Sequence, residues 1–83
     1  MDSKYVKKYN KIYFNIGQNV RKYRTLRGWR QQDLADRCEG ITREKVSKIE
    51  NAYQDYMFST LLEVCNALDK SLDEISKDNE DSD

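Results

Sequence analysis

Apolar residues recur at intervals of three and four along most of the 83-residue chain, and no proline interrupts them. This spacing places apolar side chains on one face of an α-helix, because a helix completes a turn about every 3.6 residues. β-Strands are not indicated, since clusters of β-branched residues are few. A chain of this length builds one small core. The sequence therefore predicts a single all-α domain.

The expected helix ends are marked by glycines and by residues that cap free backbone groups. Gly28 and Gly40 can adopt the positive φ of a helix end or tight turn. Thr42 is a suitable N-cap, and Ser71 followed by Glu74 forms a capping box. The predicted helices span residues 12–27, 31–38, 43–52 and 59–68, followed by a short final helical turn after residue 71.

Composition argues against several classes of protein. No run approaches the ~18 apolar residues of a membrane helix, and no export signal follows the basic start, so a cytoplasmic location is expected. Cys38 and Cys65 lack disulfide-framework or metal-ligand spacing and are interpreted as small buried residues. The chain has no histidine, no phosphate-cradling glycine loop and no paired nucleophile and base. We expect no enzyme activity, no metal and no cofactor.

The formal net charge of zero conceals a gradient. Residues 1–30 carry nine Lys and Arg against one Asp, a net of +8, whereas residues 51–83 carry two Lys against nine acids, a net of −7. Charged side chains commonly do no more than solvate helices. A gradient this steep in a small chain favours a second interpretation, in which one face meets a polyanion.

The helix predicted after Thr42 has few apolar side chains to bury. Val46 and Ile49 are apolar on one side. The other side carries donor and acceptor groups, those of Arg43, Glu44, Ser47, Lys48 and Asn51. A short helix, a glycine turn and a second short helix form a helix-turn-helix, whose second helix can read base edges in the major groove.

Each polar side chain of this helix has a defined capacity for base contacts. Arginine can bond guanine through two donors, glutamate can accept from cytosine, and lysine can serve guanine or phosphate. Arg43, near the start of the helix, is the strongest candidate for base reading. Glu44 has an alternative role, pairing with Lys48 one turn later.

From residue 16 to residue 75 the sequence resembles the DNA-binding domain of the phage lambda-type repressor and Cro family, also called the XRE family. The similarity is carried by "IGQNVRKYRTLRG", "QQDLA", "ITREKVSKIEN" and "TLLEVCNALDKSLDEI", in the order and close to the spacing of such domains. It implies a compact five-helix bundle with helices two and three as the reading unit. In such domains the positions that face the bases of the groove correspond to Arg43, Glu44, Ser47 and Lys48.

The resemblance also implies supporting roles. Arg24 and Glu50 match a buried ion pair that fixes the recognition helix against helix one. Gln31 matches a glutamine that contacts a DNA phosphate and braces the start of helix three. In all, contacts with DNA phosphates are expected from Gln31, Arg30, Thr42, Asn51 and Tyr53.

Three features depart from the family pattern. The turn "CEGIT" is one residue longer than usual, so the angle of helix three is open. Arg30 replaces a Ser or Thr cap and adds a cation near the DNA backbone. The loop "NAYQDYMF" lacks the usual Gly, Lys or Arg, and Pro. Tyr53 there either donates to phosphate or packs against the domain.

The chain is expected to divide into a domain over residues 12–76, a basic segment over 1–11 and an acidic, disordered tail over 77–83. The basic segment holds four lysines interleaved with tyrosines. It is either an arm that follows the DNA backbone or minor groove or an extension of helix one that packs on a partner.

The expected function is sequence-specific transcriptional regulation, most simply repression. A homodimer would bind double-stranded DNA at an inverted-repeat operator. The alternative is an antitoxin-like or other protein-interaction module on the same scaffold, with a protein partner. A protein-binding helix should expose large apolar residues, whereas the third helix exposes polar ones.

Overall fold

The computed structural model describes residues 3–78, with side chains from Lys8 onward. Five α-helices and no strand are present in these residues, which confirms the predicted all-α, five-helix fold. In chain order the helices are α1 (Ser3–Leu26), α2 (Gln31–Asp36), α3 (Arg43–Glu50), α4 (Phe58–Leu68) and α5 (Leu72–Ser76).

Helix α1 is longer than the sequence suggested. Its predicted start near Ile12 is wrong, because the backbone is already helical from Ser3. Neither proline nor glycine precedes Gly17, so nothing in the chain opposes helix there. A DNA contact by the basic segment stays a prediction. Of the predicted acidic tail, residues 79–83 lie outside the described residues.

One core joins all five helices. Ile12 and Leu62 are apolar but lie outside this core, and each is 44% exposed. Ile12 lines an open groove, and Leu62 follows Leu61 by ~100° around α4, which turns it away from the core. Trp29 is partly buried and packs against the core. The buried apolar residues are Ile16, Val20, Leu34, Ala35, Val46, Ile49, Leu61, Val64, Cys65, Leu68 and Ile75.

The predicted caps and glycine turns are present. Thr42 Oγ1 accepts a hydrogen bond from the Lys45 amide at 3.2 Å. Ser71 and Glu74 exchange two hydrogen bonds, at 2.9 and 3.1 Å, in a capping box. The two turn glycines, Gly28 and Gly40, have φ of 74° and 71°.

Two helices end earlier than predicted. Helix α2 ends at Asp36 rather than near Cys38, and α3 ends at Glu50 rather than near Ala52. The end of α3 is fixed by backbone conformation, because Ala52 has a φ of 64°, in the left-handed region that an α-helix cannot include.

Helices α1 and α3 approach each other closely at Gly17. A Cβ atom at this position would lie 2.6 Å from the Ile49 carbonyl oxygen and 2.8 Å from that of Glu50. Both distances are shorter than a carbon–oxygen contact allows. Glycine is therefore required for α1 to rest directly against the last turn of α3, which sets how far α3 stands from the body of the domain.

Candidate nucleic-acid interface

Helix α3 has one buried face and one exposed polar face. Val46 and Ile49 are completely buried, and α3 packs against both α1 and α2. On the opposite side lies a shallow depression of about 270 Å³. Six of the residues predicted to contact DNA line it, namely Arg43, Glu44, Ser47, Lys48, Asn51 and Tyr53.

The charged groups of this depression are held by surface ion pairs. The pairing of Glu44 with Lys48, which was the alternative to a base contact by Glu44, is not formed. Instead, Glu44 lies 3.6 Å from Arg43, and Lys48 reaches Asp55 at 3.3 Å. Asp55 lies in the loop between α3 and α4, and the path of this loop places the Asp55 carboxylate next to Lys48. Exposed pairs contribute ~0–1 kcal/mol, so both cations can exchange their carboxylate for a phosphate or a base at little cost.

Asn51 folds back over the last turn of α3. Its side-chain amide donates to the Ser47 carbonyl oxygen at 2.8 Å and to Ser47 Oγ at 3.2 Å. Because Oγ accepts in this bond, its own hydrogen can be donated elsewhere. Tyr53 extends the same surface, with its ring 5.8 Å from the Lys48 ammonium group.

The remaining predicted residues lie at the starts of α2 and α3, outside this depression. Thr42 caps α3 directly beside Arg43. The Arg30 amide donates to the Asp33 carboxylate at 2.8 Å, so Asp33 satisfies one free backbone amide at the start of α2. The Arg30 side chain, which has only donors, cannot accept from the amides of the first turn. The bond from the Arg30 amide lowers the pKa of Asp33 by more than burial raises it, and the Arg30 charge lowers it further. The Arg30 side chain is largely exposed.

A buried carboxylate fixes the end of α3. The Glu50 side chain is fully buried, and Arg24 is 11% exposed. Arg24 donates to both Glu50 oxygens, one of them at 3.0 Å, and to the Trp29 carbonyl oxygen at 2.7 Å. Burial would raise the pKa of Glu50, but hydrogen bonds from Arg24 and Gln31, together with nearby positive charge, lower it. Glu50 therefore joins α1, α2 and α3 as a carboxylate.

Gln31 braces the opposite end of α3 from the one predicted. Its amide donates to Glu50 Oε1 at 3.0 Å, so the first residue of α2 is tied to the last residue of α3 rather than to its start. The bond uses one of the two hydrogens on Nε2. The other is left for a further acceptor.

Sequence reasoning missed three contributors to this surface. Arg21 lies 3.3 Å from Glu50 as a second arginine on the same carboxylate, and its position one helical turn before Arg24 was an available signal. Gly17 was also detectable, since a glycine inside a helix often marks close packing. Asp55 carried no signal, because its contact with Lys48 depends on the course of a loop.

Two short helices that pack against each other, the second of which also rests on α1 and has an exposed polar face, define a helix-turn-helix domain of the DNA-binding type. Residues 20–75 match the protein-family model described as helix-turn-helix. The chain belongs to this family, of the lambda repressor and Cro (XRE) type, and is a DNA-binding regulator. Neither the curated proteins nor the solved structures contain a match.

Other kinds of site receive no support from the part of the chain that the structure describes. None of its helices is both long and apolar enough to cross a membrane. Within the same residues, no group of three or more His, Cys, Asp or Glu side chains is arranged to hold a metal ion.

Proposed function

We propose that this protein represses transcription by occupying an inverted-repeat operator as a homodimer, in the cytoplasm and without chemistry on the DNA. The observation that carries the proposal is the two-sided character of α3. One face is locked against α1 and α2, and the other carries four polar side chains that line one depression together with Asn51 and Tyr53, which follow the helix. Such a helix is suited to entering the major groove.

Within this proposal Arg43, Glu44, Ser47 and Lys48 contact base edges. Arg43 stands at the first position of α3, where major-groove helices commonly place base-reading side chains. Its guanidinium group can bond guanine O6 and N7 together. Glu44, currently 3.6 Å from Arg43, either accepts from a cytosine or keeps the arginine oriented.

The surrounding polar groups would hold the DNA backbone. Gln31 has a free amide hydrogen beside Glu50, and the exposed Arg30 guanidinium stands one residue earlier. Phosphate contacts fix the register of a helix on the duplex without reading sequence. The groups assigned this role are those of Gln31, Arg30, Thr42, Asn51 and Tyr53.

A dimer is supported by the small size of the reading surface. One α3 of eight residues spans only a few base pairs, whereas two copies related by a two-fold axis read two half-sites ~34 Å apart, about one duplex turn. An operator with inverted symmetry follows from the symmetry of the protein.

Selection from a randomised duplex pool tests the proposal. The full chain should enrich an inverted repeat with half-sites about 10 base pairs apart, centre to centre. If the recovered duplexes show no enriched sequence, and binding only fades as salt is added, then α3 does not read bases and the proposed function is wrong.

A further inference from the structure

Both cations that line the depression on α3 are paired with carboxylates. Arg43 lies 3.6 Å from Glu44, and the Lys48 ammonium group lies 3.3 Å from a carboxylate oxygen of Asp55. Glu44 belongs to the reading helix itself, whereas Asp55 comes from the loop between α3 and α4. A carboxylate next to a DNA-binding surface repels phosphates. The charge of Asp55 therefore opposes DNA binding unless it has a further role there.

The backbone that follows α3 turns the loop back over Lys48. The Tyr53 amide donates to the Lys48 carbonyl oxygen at 3.0 Å, which closes the last turn of the helix. The Ala52 amide donates to the Ile49 carbonyl oxygen at 3.1 Å. With Ala52 at a φ of 64°, these two bonds form a Schellman motif, in which the residue after the left-handed one packs on the last helical turn. The motif therefore places Tyr53 against Lys48.

Two groups of this loop contact the Lys48 ammonium group. The centre of the Tyr53 ring is 5.8 Å from it, a distance at which a cation is attracted to an aromatic face. Asp55 accepts a hydrogen bond from it at 3.3 Å. The Lys48 side chain still remains 47% exposed. Because an ammonium group has three hydrogens, two remain for acceptors on DNA while the bond to Asp55 is kept.

We propose that Asp55 determines specificity, because it orients Lys48 toward a base acceptor and disfavours a contact of Lys48 with phosphate. The ion pair is weak in water, so Lys48 can leave it. On a duplex, however, the Asp55 carboxylate would then face the phosphates without a cation, and their repulsion opposes this exchange.

A guanine in the operator offers Lys48 a different contact. It can accept from a second hydrogen of the ammonium group while the pair with Asp55 stays intact. Lys48 thus adds affinity only where the matching base is present. Charge placed against the wrong partner is a general means of discrimination. This inference deepens the proposed function and rests on base reading by α3.

Binding of the full chain to two duplexes tests this role, one an operator recovered by selection and the other a scrambled duplex of the same length and composition. Asp55→Asn keeps the shape of the side chain and removes its charge. It should tighten binding to the scrambled duplex roughly 10-fold, because Lys48 is then free to contact a phosphate. Affinity for the operator should change much less, since Lys48 already donates to a base there and loses the carboxylate that orients it.

The dependence on salt separates this role from a general effect of charge. On the scrambled duplex, Asp55→Asn should steepen the slope of log K against log salt by about 1, because Lys48 neutralises one more phosphate. In a Lys48→Gln background the same substitution should leave that slope unchanged. Asp73→Asn is the matched control, since it removes the same charge from an exposed position on α5, and it should alter neither the slope nor the ratio of the two affinities.

The inference and the proposed function can fail separately. If selection enriches an operator but Asp55→Asn changes the affinity for both duplexes by the same factor, Asp55 does not determine specificity, while base reading stands. A slope on the scrambled duplex that does not respond to Asp55→Asn, or responds equally in the Lys48→Gln background, also overturns the inference. If no duplex sequence is enriched, the proposed function is wrong, and the inference that rests on it is wrong as well.

Discussion

At the scale of single residues, the position of α3 depends most on Glu50. This carboxylate is completely buried and receives hydrogen bonds from Arg24, Arg21 and Gln31. A buried charge is tolerated only with such compensation. The contacts join three helices, so their loss would affect both stability and the orientation of the reading surface.

Glu50→Gln should lower the free energy of unfolding by ~3–5 kcal/mol, because the neutral side chain leaves the Arg24 charge uncompensated in a buried site. Urea unfolding measures the change. Glu44→Gln is the control, since Glu44 is largely exposed, and it should stay within ~0.5 kcal/mol of wild type. Equal stabilities for the two variants would show that the buried pair does not hold the domain.

The same residue predicts a pH dependence. Folding lowers the pKa of Glu50, so the native state favours its charged form, and the resulting stability is present above the unfolded value of ~4.3. That stability is lost as the pH falls through the lower native pKa. The difference in unfolding free energy between wild type and Glu50→Gln should therefore shrink below about pH 4. A difference that stays constant with pH contradicts this account.

The cysteines give a further prediction at this scale. Burial, and to a smaller extent the Glu63 charge, raises the pKa of the Cys38 thiol to about 11, and burial raises that of Cys65. Since the thiolate is the reactive form, iodoacetamide at neutral pH should label both slowly in the native protein and quickly in urea. Fast native labelling of either, measured by mass spectrometry, would contradict the structure.

At the scale of helices, the decisive contact is the approach of α1 to α3. Gly17→Ala replaces a poor helix former with the best one, a gain of ~1 kcal/mol in an exposed helix. Here the added methyl would meet two backbone carbonyl oxygens at 2.6 and 2.8 Å, so we expect a net loss of ~1–3 kcal/mol together with weaker DNA binding.

Thermal unfolding and fluorescence anisotropy measure the two effects of Gly17→Ala. Thr25→Ala, at an exposed position of the same helix, is the control and should change neither by much. A Gly17→Ala protein that is more stable than wild type would show that α3 does not rest on this contact.

The helix boundaries were predictable where a local interaction sets them. The starts of α3 and α5 are marked by the N-cap residues Thr42 and Ser71, whose side chains accept from backbone amides. The turns are marked by Gly28 and Gly40, which adopt a positive φ. The early start of α1 has no such marker, and the end of α3 depends on the left-handed Ala52, which nothing in the local sequence demands.

The sequence predicted which residues form the candidate site better than it predicted the contacts between them. The periodicity of α3 and the family resemblance brought together the polar residues that the structure places in one depression. Ion pairing was not predictable, because Lys48 meets Asp55 only through the path of a loop. The bond from Gln31 to Glu50 likewise depends on how α2 packs on α3.

At the scale of the whole molecule, charge distribution should govern affinity. Arg30, exposed at the start of α2, is proposed to contact a phosphate. Arg30→Ala should weaken binding equally for all sequences and reduce the slope of log K against log salt by about 1. Lys77→Ala, an exposed change near the acidic end, should leave the slope unchanged. A sequence-dependent loss with Arg30→Ala would assign that residue to base reading instead.

The proposed function depends above all on base reading by Arg43 of α3. The most direct measurement is the affinity of wild type and Arg43→Ala for the selected operator and for each single base-pair change in it. We expect Arg43→Ala to lose ~1–3 kcal/mol of discrimination at one guanine and to keep discrimination elsewhere. If Arg43→Ala discriminates among all the duplexes as wild type does, or weakens them all equally, Arg43 does not read sequence and the proposed function is wrong.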